Sequence, residues 1–331
     1  MYMQKRYHHL TLFEREIITE MLWKKKSVSH IATTMNRNKS TISRELHRNA
    51  SPKYQCYMPH RAQERAEMRR QHTSQRTRLK NDQIRDYVIT KLKEDWSPEI
   101  IAGRIQIDHP DLSISHEAIY QYIYHPQTPN RLELIKHLRR SHRRRKKKGI
   151  GRKERKTKIP NRIPIDVRPS SVATRSEFGH WEGDTLVSRK STFVLNSLVE
   201  RKSRLLQLTR LKRRGAAETK EAVINRLTPF PQNTRRSLTL DNGTEHVFHE
   251  EITKAIGLQC FFCHPYSAWE RGSNENINGL IRWYLPKGTD FANISDEMIG
   301  WIESRLNHRP RKCLDFKTPL EAADSYVALQ G

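Results

Sequence analysis

The sequence predicts a multidomain protein, in which an all-α N-terminal half precedes an α/β core with helices flanking a mixed five-stranded sheet. Apolar residues recur at helical spacing up to residue 124, and short apolar runs typical of strands begin only after residue 179. Charge is also divided unevenly. Residues 1–160 hold 37 Lys and Arg against 16 Asp and Glu, whereas residues 161–331 hold 25 against 20. The two halves therefore differ in both fold and electrostatics.

The net charge of +26 over 331 residues predicts a polyanionic partner for the N-terminal half. Nucleic acid fits this best. An anionic membrane surface is the alternative, but no segment has the continuous apolar length of a membrane span. The first nine residues lack the apolar core of a signal peptide, which predicts a cytoplasmic protein.

Three helices are predicted near the N-terminus: residues 12–23, Ser27 to Met35, and Lys39 to Asn49. A short helix, a tight turn and a polar-faced helix form a helix-turn-helix, whose second helix enters the major groove of DNA. A generic three-helix packing module is the alternative, but the basic outer face of the third helix favours DNA. The predicted DNA contacts on this helix are Lys39, Ser40, Thr41, Ser43 and Arg44.

A similar pattern recurs between residues 82 and 124. A helix over 82–94 is followed by one that Ser97 caps with Pro98 at its first position, and then by a helix over 113–124. This predicts a second helix-turn-helix-like region, less basic than the first, with His116 as its candidate DNA contact. The apolar residues of the last helix, such as Ile119 and Ile123, are equally compatible with a plain core.

Residues 139–148 contain eight Lys and Arg in ten positions. Such a run is typical of a solvated linker, but here it is also placed to contact phosphates. Its candidate contacts are Arg143, Arg144, Arg145, Lys146, Lys147 and Lys148. Prolines 160, 164 and 169 then mark a boundary. The predicted domains are 1–52 (helix-turn-helix), 53–80 (helical, basic connector), 81–130 (second helix-turn-helix-like), 131–162 (basic linker) and 163–331 (core).

After the boundary, three strands are followed by a helix, a strand, a helix, a strand and a helix, the order of a ribonuclease H-like core. Asp184 lies midway along the first strand, Asp241 ends the fourth, and Glu275 lies on the last of these helices. Carboxylates brought together repel one another, so the cluster is expected to bind divalent cations. Two Mg²⁺ ions roughly 4 Å apart can activate a hydroxyl and stabilise the leaving oxygen of a phosphodiester.

Arg282 lies seven residues after Glu275, so it shares a helix face with that residue and is a candidate phosphate contact. Lys287, shortly after it, is a further candidate DNA contact. Three other acids, Glu182, Glu245 and Glu270, compete for the metal-binding role because they lie near the chosen ones in sequence. Two tryptophans close to the acids, Trp181 and Trp269, are expected to serve packing, with contact to a DNA end as the alternative for Trp269, which lies in a loop beside the site.

Six segments of the second half carry a family resemblance: 181–184 (WEGD), 240–245 (LDNGTE), 265–279 (PYSAWERGSNENING), 286–291 (PKGTDF), 306–312 (LNHRPRK) and 318–321 (TPLE). With them, the sequence resembles the DDE transposases of the insertion sequence thirty family, which share an integrase-like catalytic core with retroviral integrases. Asn36 stands where that family commonly has glycine, and asparagine tolerates the positive φ required there. The 34-residue step from Asp241 to Glu275 also fits the family.

The resemblance implies a transposase that binds the terminal inverted repeats of its element, cleaves DNA to give 3′-hydroxyl ends and joins them to target DNA. It also implies double-stranded DNA and a homo-oligomeric synaptic complex as partners, no membrane, Mg²⁺ replaceable by Mn²⁺, and a place on the nucleoid in the bacterial cytosol. Two alternatives remain open: a DNA-binding regulator with an inactive core, and a metal-dependent nuclease without strand transfer.

Overall fold

A computed structural model describes residues 8–51, 56–74, 79–138, 159–265 and 267–328. The chain divides into two compact units, Met1–Arg78 and Leu79–Gly331. The predicted contacts Arg143 to Lys148 lie outside the described residues. Among the helices that are described, none has both the length and the apolar character needed to cross a membrane.

The first unit is helical, and its apolar spacing explains its core. Ile18, Ile31 and Ile42, one from each of the first three helices, are completely buried. The turn before the third helix places Asn36 at a φ of 48°, the positive value that the sequence predicts. The helices are α1 (Leu12–Trp23), α2 (Val28–Thr34), α3 (Lys39–Asn49) and α4 (Pro59–Ser74).

The second unit begins with four helices around a core of their own, including the buried Ile119 and Ile123. Ser97 precedes the second of them as predicted, but its side chain makes no capping hydrogen bond. The region predicted as a linker from residue 131 begins with a helix instead, because Leu134 is buried in this core. The helices are α5 (Asp82–Lys93), α6 (Pro98–Asp108), α7 (His116–Tyr124) and α8 (Arg131–Lys136).

A mixed five-stranded sheet follows, in the order β3-β2-β1-β4-β5. β1 pairs antiparallel with β2 and parallel with β4, while β2–β3 is antiparallel and β4–β5 parallel. This is the ribonuclease H-like sheet that the order of elements predicts. The strands are β1 (His180–Val187), β2 (Val194–Glu200), β3 (Leu206–Leu211), β4 (Ser237–Leu240) and β5 (Gln259–Phe262).

Helices cover both faces of the sheet. Buried residues of α10 and α11 pack on one face, and those of α12 and α13 on the other. The helices of this part are α9 (Ser170–Thr174), α10 (Ala216–Leu227), α11 (His249–Ile256), α12 (Gly272–Tyr284), α13 (Asp296–Asn307) and α14 (Pro319–Ala328). Short 3-10 turns occupy Ile165–Val167, Gln232–Thr234, Thr244–His246, Ala268–Arg271, Phe291–Asn293 and Lys312–Leu314.

Candidate active site

The register of the sheet brings two of the predicted carboxylates together. In the parallel pair β1–β4, Trp181 lies opposite Leu238 and Glu182 opposite Thr239. Continuing this register by two residues places Asp184 beside Asp241. Side chains two residues apart point to the same face of a strand, so both aspartates face the α12 side of the sheet.

The Asp184 carboxylate is held through one of its oxygens. Asn278 of α12 donates from Nδ2 to Asp184 Oδ2 at 2.6 Å, and the Asn278 amide oxygen accepts from Ser197 Oγ at 3.1 Å. Ser197 is also the β2 residue opposite Asp184 in the antiparallel register. The second oxygen, Oδ1, is left to face Arg271, whose Nη1 is 3.0 Å away.

Asp241 is held in the same one-sided way. Its Oδ1 accepts from the Gly243 backbone N–H at 3.0 Å and lies 3.2 Å from Nε2 of the buried His246. Oδ2 faces Arg271 Nη2 at 3.5 Å. Burial raises the pKa of the Asp241 carboxyl, but His246 and Arg271 outweigh burial and hold that pKa well below its usual range. Asp241 is therefore ionised at neutral pH.

Arg271 links the two aspartates, which the sequence analysis did not foresee. Its guanidinium spans Asp184 Oδ1 and Asp241 Oδ2, and its Nη1 also donates to the Gly183 carbonyl at 2.9 Å. Burial lowers the pKa of Arg271, but the two carboxylates together raise it above its ordinary value. A sequence signal existed, because Arg271 lies only four residues before Glu275, within one of the segments that carry the family resemblance.

Glu275 lies on α12, one turn before Asn278. Its side chain is exposed and, within the described part of the chain, takes part in no hydrogen bond or ion pair. Asp184 and Asp241 thus both contact the guanidinium of Arg271. Glu275 is connected to them only through the helix that carries it.

The donor atoms fit a divalent cation. The two oxygens left free by the surrounding hydrogen bonds already converge on one positive group, and carboxylate oxygens are the ligands that Mg²⁺ prefers. Asp241, Glu245 and His246 also have ligand atoms within 4.8 Å of one another. Glu245 is buried and pairs with Arg214 at 2.7 Å. Possible metal ligands around Asp241 therefore extend beyond the predicted three acids.

The other competing acids have structural partners. Glu182 is completely buried and paired with Arg201. Glu270 accepts from the backbone N–H of His264 at 2.9 Å and contacts its ring at 2.8 Å. The packing expectation is confirmed for Trp181, which is completely buried, and wrong for Trp269, which is 74% exposed. Trp269 lies on the 3-10 turn Ala268–Arg271 at the surface, where its side chain points away from the core.

Most of the predicted DNA contacts that are described lie on the surface. Lys39, Ser40, Ser43 and Arg44 are exposed on α3, and Thr41 is half-buried. His116, at the start of α7, and Lys287, just after α12, are exposed as well. Arg282 is different, because it donates to the Val187 carbonyl at 3.0 Å and lies over the ring of Phe291. Its guanidinium is thus partly used in packing.

Comparison with known proteins supports both halves of this architecture. A helix-turn-helix domain family matches residues 6–49. The transposase InsI of the insertion sequence element IS30A from Escherichia coli K12 is 40% identical, covering 97% of this chain and 85% of its own. The transposase of element IS4351 from Bacteroides fragilis is 36% identical over 95% of this chain and 94% of its own. That of IS1086 from Cupriavidus metallidurans is 36% identical over 93% and 92%.

A helix-turn-helix, a mixed five-stranded sheet with paired aspartates and transposase relatives along most of the chain together identify a DNA transposase. The sequence identity to these relatives over most of the chain also identifies its family. The chain belongs to the IS30 family of insertion-sequence transposases.

Proposed function

We propose that the protein binds the terminal inverted repeats of its element, cleaves DNA to give 3′-hydroxyl ends, and joins those ends to target DNA by divalent-metal-dependent phosphoryl transfer. One observation carries the proposal. Asp184 and Asp241 lie side by side, each with one oxygen held by its surroundings and the other directed at a shared cationic group. This arrangement is suited to binding cations next to a phosphodiester.

In this proposal Asp184, Asp241 and Glu275 hold two Mg²⁺ ions, for which Mn²⁺ substitutes. When bound, such ions lower the pKa of an attacking hydroxyl and neutralise charge on the leaving oxygen. Asn278 fixes the orientation of the Asp184 carboxylate, and Gly243 with His246 fixes that of Asp241. The two aspartates are thus oriented in advance, and metal binding requires only that Arg271 withdraw from the oxygens that it contacts.

Recognition of DNA is assigned to the first unit. α3 enters the major groove, where Arg44 reads a base and Lys39 contacts phosphate, with the remaining candidate residues of α3 supporting them. His116, Arg282, Lys287 and the basic run at 139–148 are proposed as further DNA contacts. The two ends of the element are brought together by a homo-oligomer. Because the substrate is the chromosome, the reaction takes place at the nucleoid in the bacterial cytosol.

The test measures cleavage and joining of labelled element ends in Mg²⁺ by Asp184→Asn, Asp241→Asn and Glu275→Gln. Each variant removes a metal-binding charge worth several kcal/mol in the transition state, so each should lose about 100-fold or more in rate. DNA binding should be unchanged, because recognition lies in the first unit. Glu221→Gln, an exposed glutamate of α10, is the matched control and should retain activity.

The results also separate the alternatives. Rapid cleavage by any of the three variants would remove that residue from the site. A wild-type protein that binds the ends but never cuts them would support a DNA-binding regulator instead. Cleavage without any joined product would support a nuclease.

A further inference from the structure

The helix that carries Glu275 has no cap of its own. The first turn of an α-helix leaves backbone N–H groups without partners, and a side chain just before the helix usually accepts from one of them. Arg271 occupies the capping position of α12 and provides no such bond. The acceptor comes from a strand instead, since Glu182 Oε2 of β1 accepts from the Asn274 backbone N–H at 2.9 Å.

The capping carboxylate is fixed in place by an arginine. Glu182 is completely buried, and its other oxygen, Oε1, pairs with Arg201 Nη1. Arg201 is itself held, because its Nε donates to the Val172 carbonyl at 3.1 Å and its backbone N–H donates to the His180 carbonyl at 2.8 Å. A negative group at a helix N-terminus also interacts favourably with the helix dipole.

The contact between Glu182 and Asn274 lies next to two of the proposed metal ligands, Asp184 and Glu275. Glu182 precedes Asp184 by two residues and faces the same side of β1. Its partner Asn274 directly precedes Glu275. One turn further along α12, Asn278 donates to Asp184. The strand bearing Asp184 is therefore joined to the helix bearing Glu275 at two successive points.

We infer that Glu182 is a positioning residue, which caps α12 and thereby sets the place of Glu275 relative to Asp184. The inference rests on the proposed function only for the role of Glu275 as a metal ligand. The cap itself is a separate physical claim. Without Glu182, the first turn of α12 loses its acceptor and frays, and Glu275 lies in that turn.

A buried ion pair that merely stabilises the fold is the competing explanation, and the chain contains a control with the same chemistry that is less deeply buried. Glu303 of α13 also accepts from a backbone N–H, that of Leu208 at 2.6 Å, and pairs with an arginine, Arg226. It joins α13 to β3 and caps no helix that carries a proposed ligand. Glu182→Gln and Glu303→Gln therefore remove the same kind of charge at different places.

The first measurement is hydrogen exchange on the full chain without metal or DNA. Glu182→Gln should speed exchange of amides 272–276 by about 2- to 30-fold, the range expected for loss of a cap. Glu303→Gln should leave that segment unchanged. Equal exchange in Glu182→Gln and wild type, or the same acceleration in both variants, would overturn the cap.

The second measurement is Mn²⁺ binding to the DNA-free protein, followed by electron paramagnetic resonance. Loss of a group that orients a ligand weakens metal binding by about 10- to 100-fold, so Glu182→Gln should raise the half-saturating Mn²⁺ concentration by that factor, and Glu303→Gln should not. Faster exchange at 272–276 with an unchanged Mn²⁺ midpoint would overturn the positioning role.

If a single substitution prevents folding, paired variants replace it. Glu182→Leu with Arg201→Leu, compared with Glu303→Leu with Arg226→Leu, removes both charges at each place and leaves none buried alone. The same two readouts and the same expected results apply. Failure of the wild-type protein to cleave DNA would overturn the proposed function without altering the exchange result, so the two failures are distinguishable.

Discussion

Two regions of the molecule have the same arrangement of three helices, but their charged side chains have different partners. α1–α3 and α5–α7 each consist of a longer helix followed by two helices with a turn between them. In the first region, two arginines outside α3 are engaged in ion pairs within the region. Arg15 pairs with Glu45 at 2.8 Å and Arg37 with Glu14 at 2.7 Å. Lys39 and Arg44 of α3 remain exposed and make no ion pair with any described residue.

The second region offers no comparable surface. α7 contains neither Lys nor Arg, and its exposed residues are His116, Glu117, Gln121 and Tyr124. Arg104 of α6 is directed at the catalytic core, where its two Nη atoms each lie 2.6 Å from the Glu321 carboxylate of α14. The same order of helices therefore occurs with two different distributions of charge, and the proposed function assigns base reading to the first region only. Exposed charge on the last helix distinguishes the first region.

The largest expected effect tests this distinction on DNA. Arg44→Ala should cost about 1–3 kcal/mol of discrimination between the element end and random DNA, because a base-reading arginine contributes that much. His116→Ala, at the start of α7, should cost less than about 0.5 kcal/mol. Gel-shift titrations of both DNAs with both variants measure this. If His116→Ala had the greater effect, recognition would belong to the second region and the comparison would be reversed.

Substitution of Arg104 tests whether the contacts of this side chain attach the second region to the core. Besides Glu321, it contacts Asp108 at 2.7 Å and donates to the Phe316 carbonyl at 3.1 Å. Arg104→Ala should lower the free energy of unfolding of the second unit by about 1–2 kcal/mol, since Glu321 is partly exposed and the pair is partly screened. Denaturant titration monitors the loss.

Arg213→Ala is the control for Arg104→Ala, because Arg213 also lies in the second unit, is 73% exposed and pairs with Glu218 at the surface. It should change the free energy of unfolding by less than about 0.5 kcal/mol. Equal losses in the two variants would show that Arg104 is no more than a surface arginine.

The same contact predicts a pH dependence. The hydrogen bond from Arg104 lowers the pKa of Glu321 from 4.5 to about 2, although burial opposes it. A carboxyl whose pKa is depressed in the folded state stabilises the fold above its unfolded pKa, and this contribution is lost as pH falls through the folded value. The stability advantage of wild type over Glu321→Gln should therefore shrink between about pH 4.5 and pH 2. An advantage independent of pH would exclude this linkage.

The smallest effect is expected from the basic run at 139–148, which lies outside the described residues. Lys and Arg in such a run meet phosphates and carry no base code. Each phosphate contact contributes a slope near −0.9 in log affinity against log salt. Replacing residues 143–148 by Gln should flatten that slope equally for element ends and random DNA. Identical slopes for wild type and variant would leave the run as a spacer.

Local patterns predicted much of the secondary structure. The predicted helices 12–23 and 39–49 coincide with α1 and α3. Apolar periodicity specifies such elements because it depends on neighbours within a turn or two. Prediction was weaker where burial depends on distant residues. Leu134 is buried in a core, and the residues around it form a helix where a linker was predicted. Trp269 is exposed, although tryptophan is a residue type that favours packing.

The sequence by itself predicted the division into a basic helical half and an α/β core, and it proposed three acids for the site, of which the structure brings Asp184 and Asp241 together. Only the tertiary structure decided how these acids are held. Arg271 between the aspartates, and Glu182 at the start of α12, act through contacts between residues that are 30 to 92 positions apart. Periodicity has no information about such pairs, because their distance is fixed by sheet register and helix packing across the whole core.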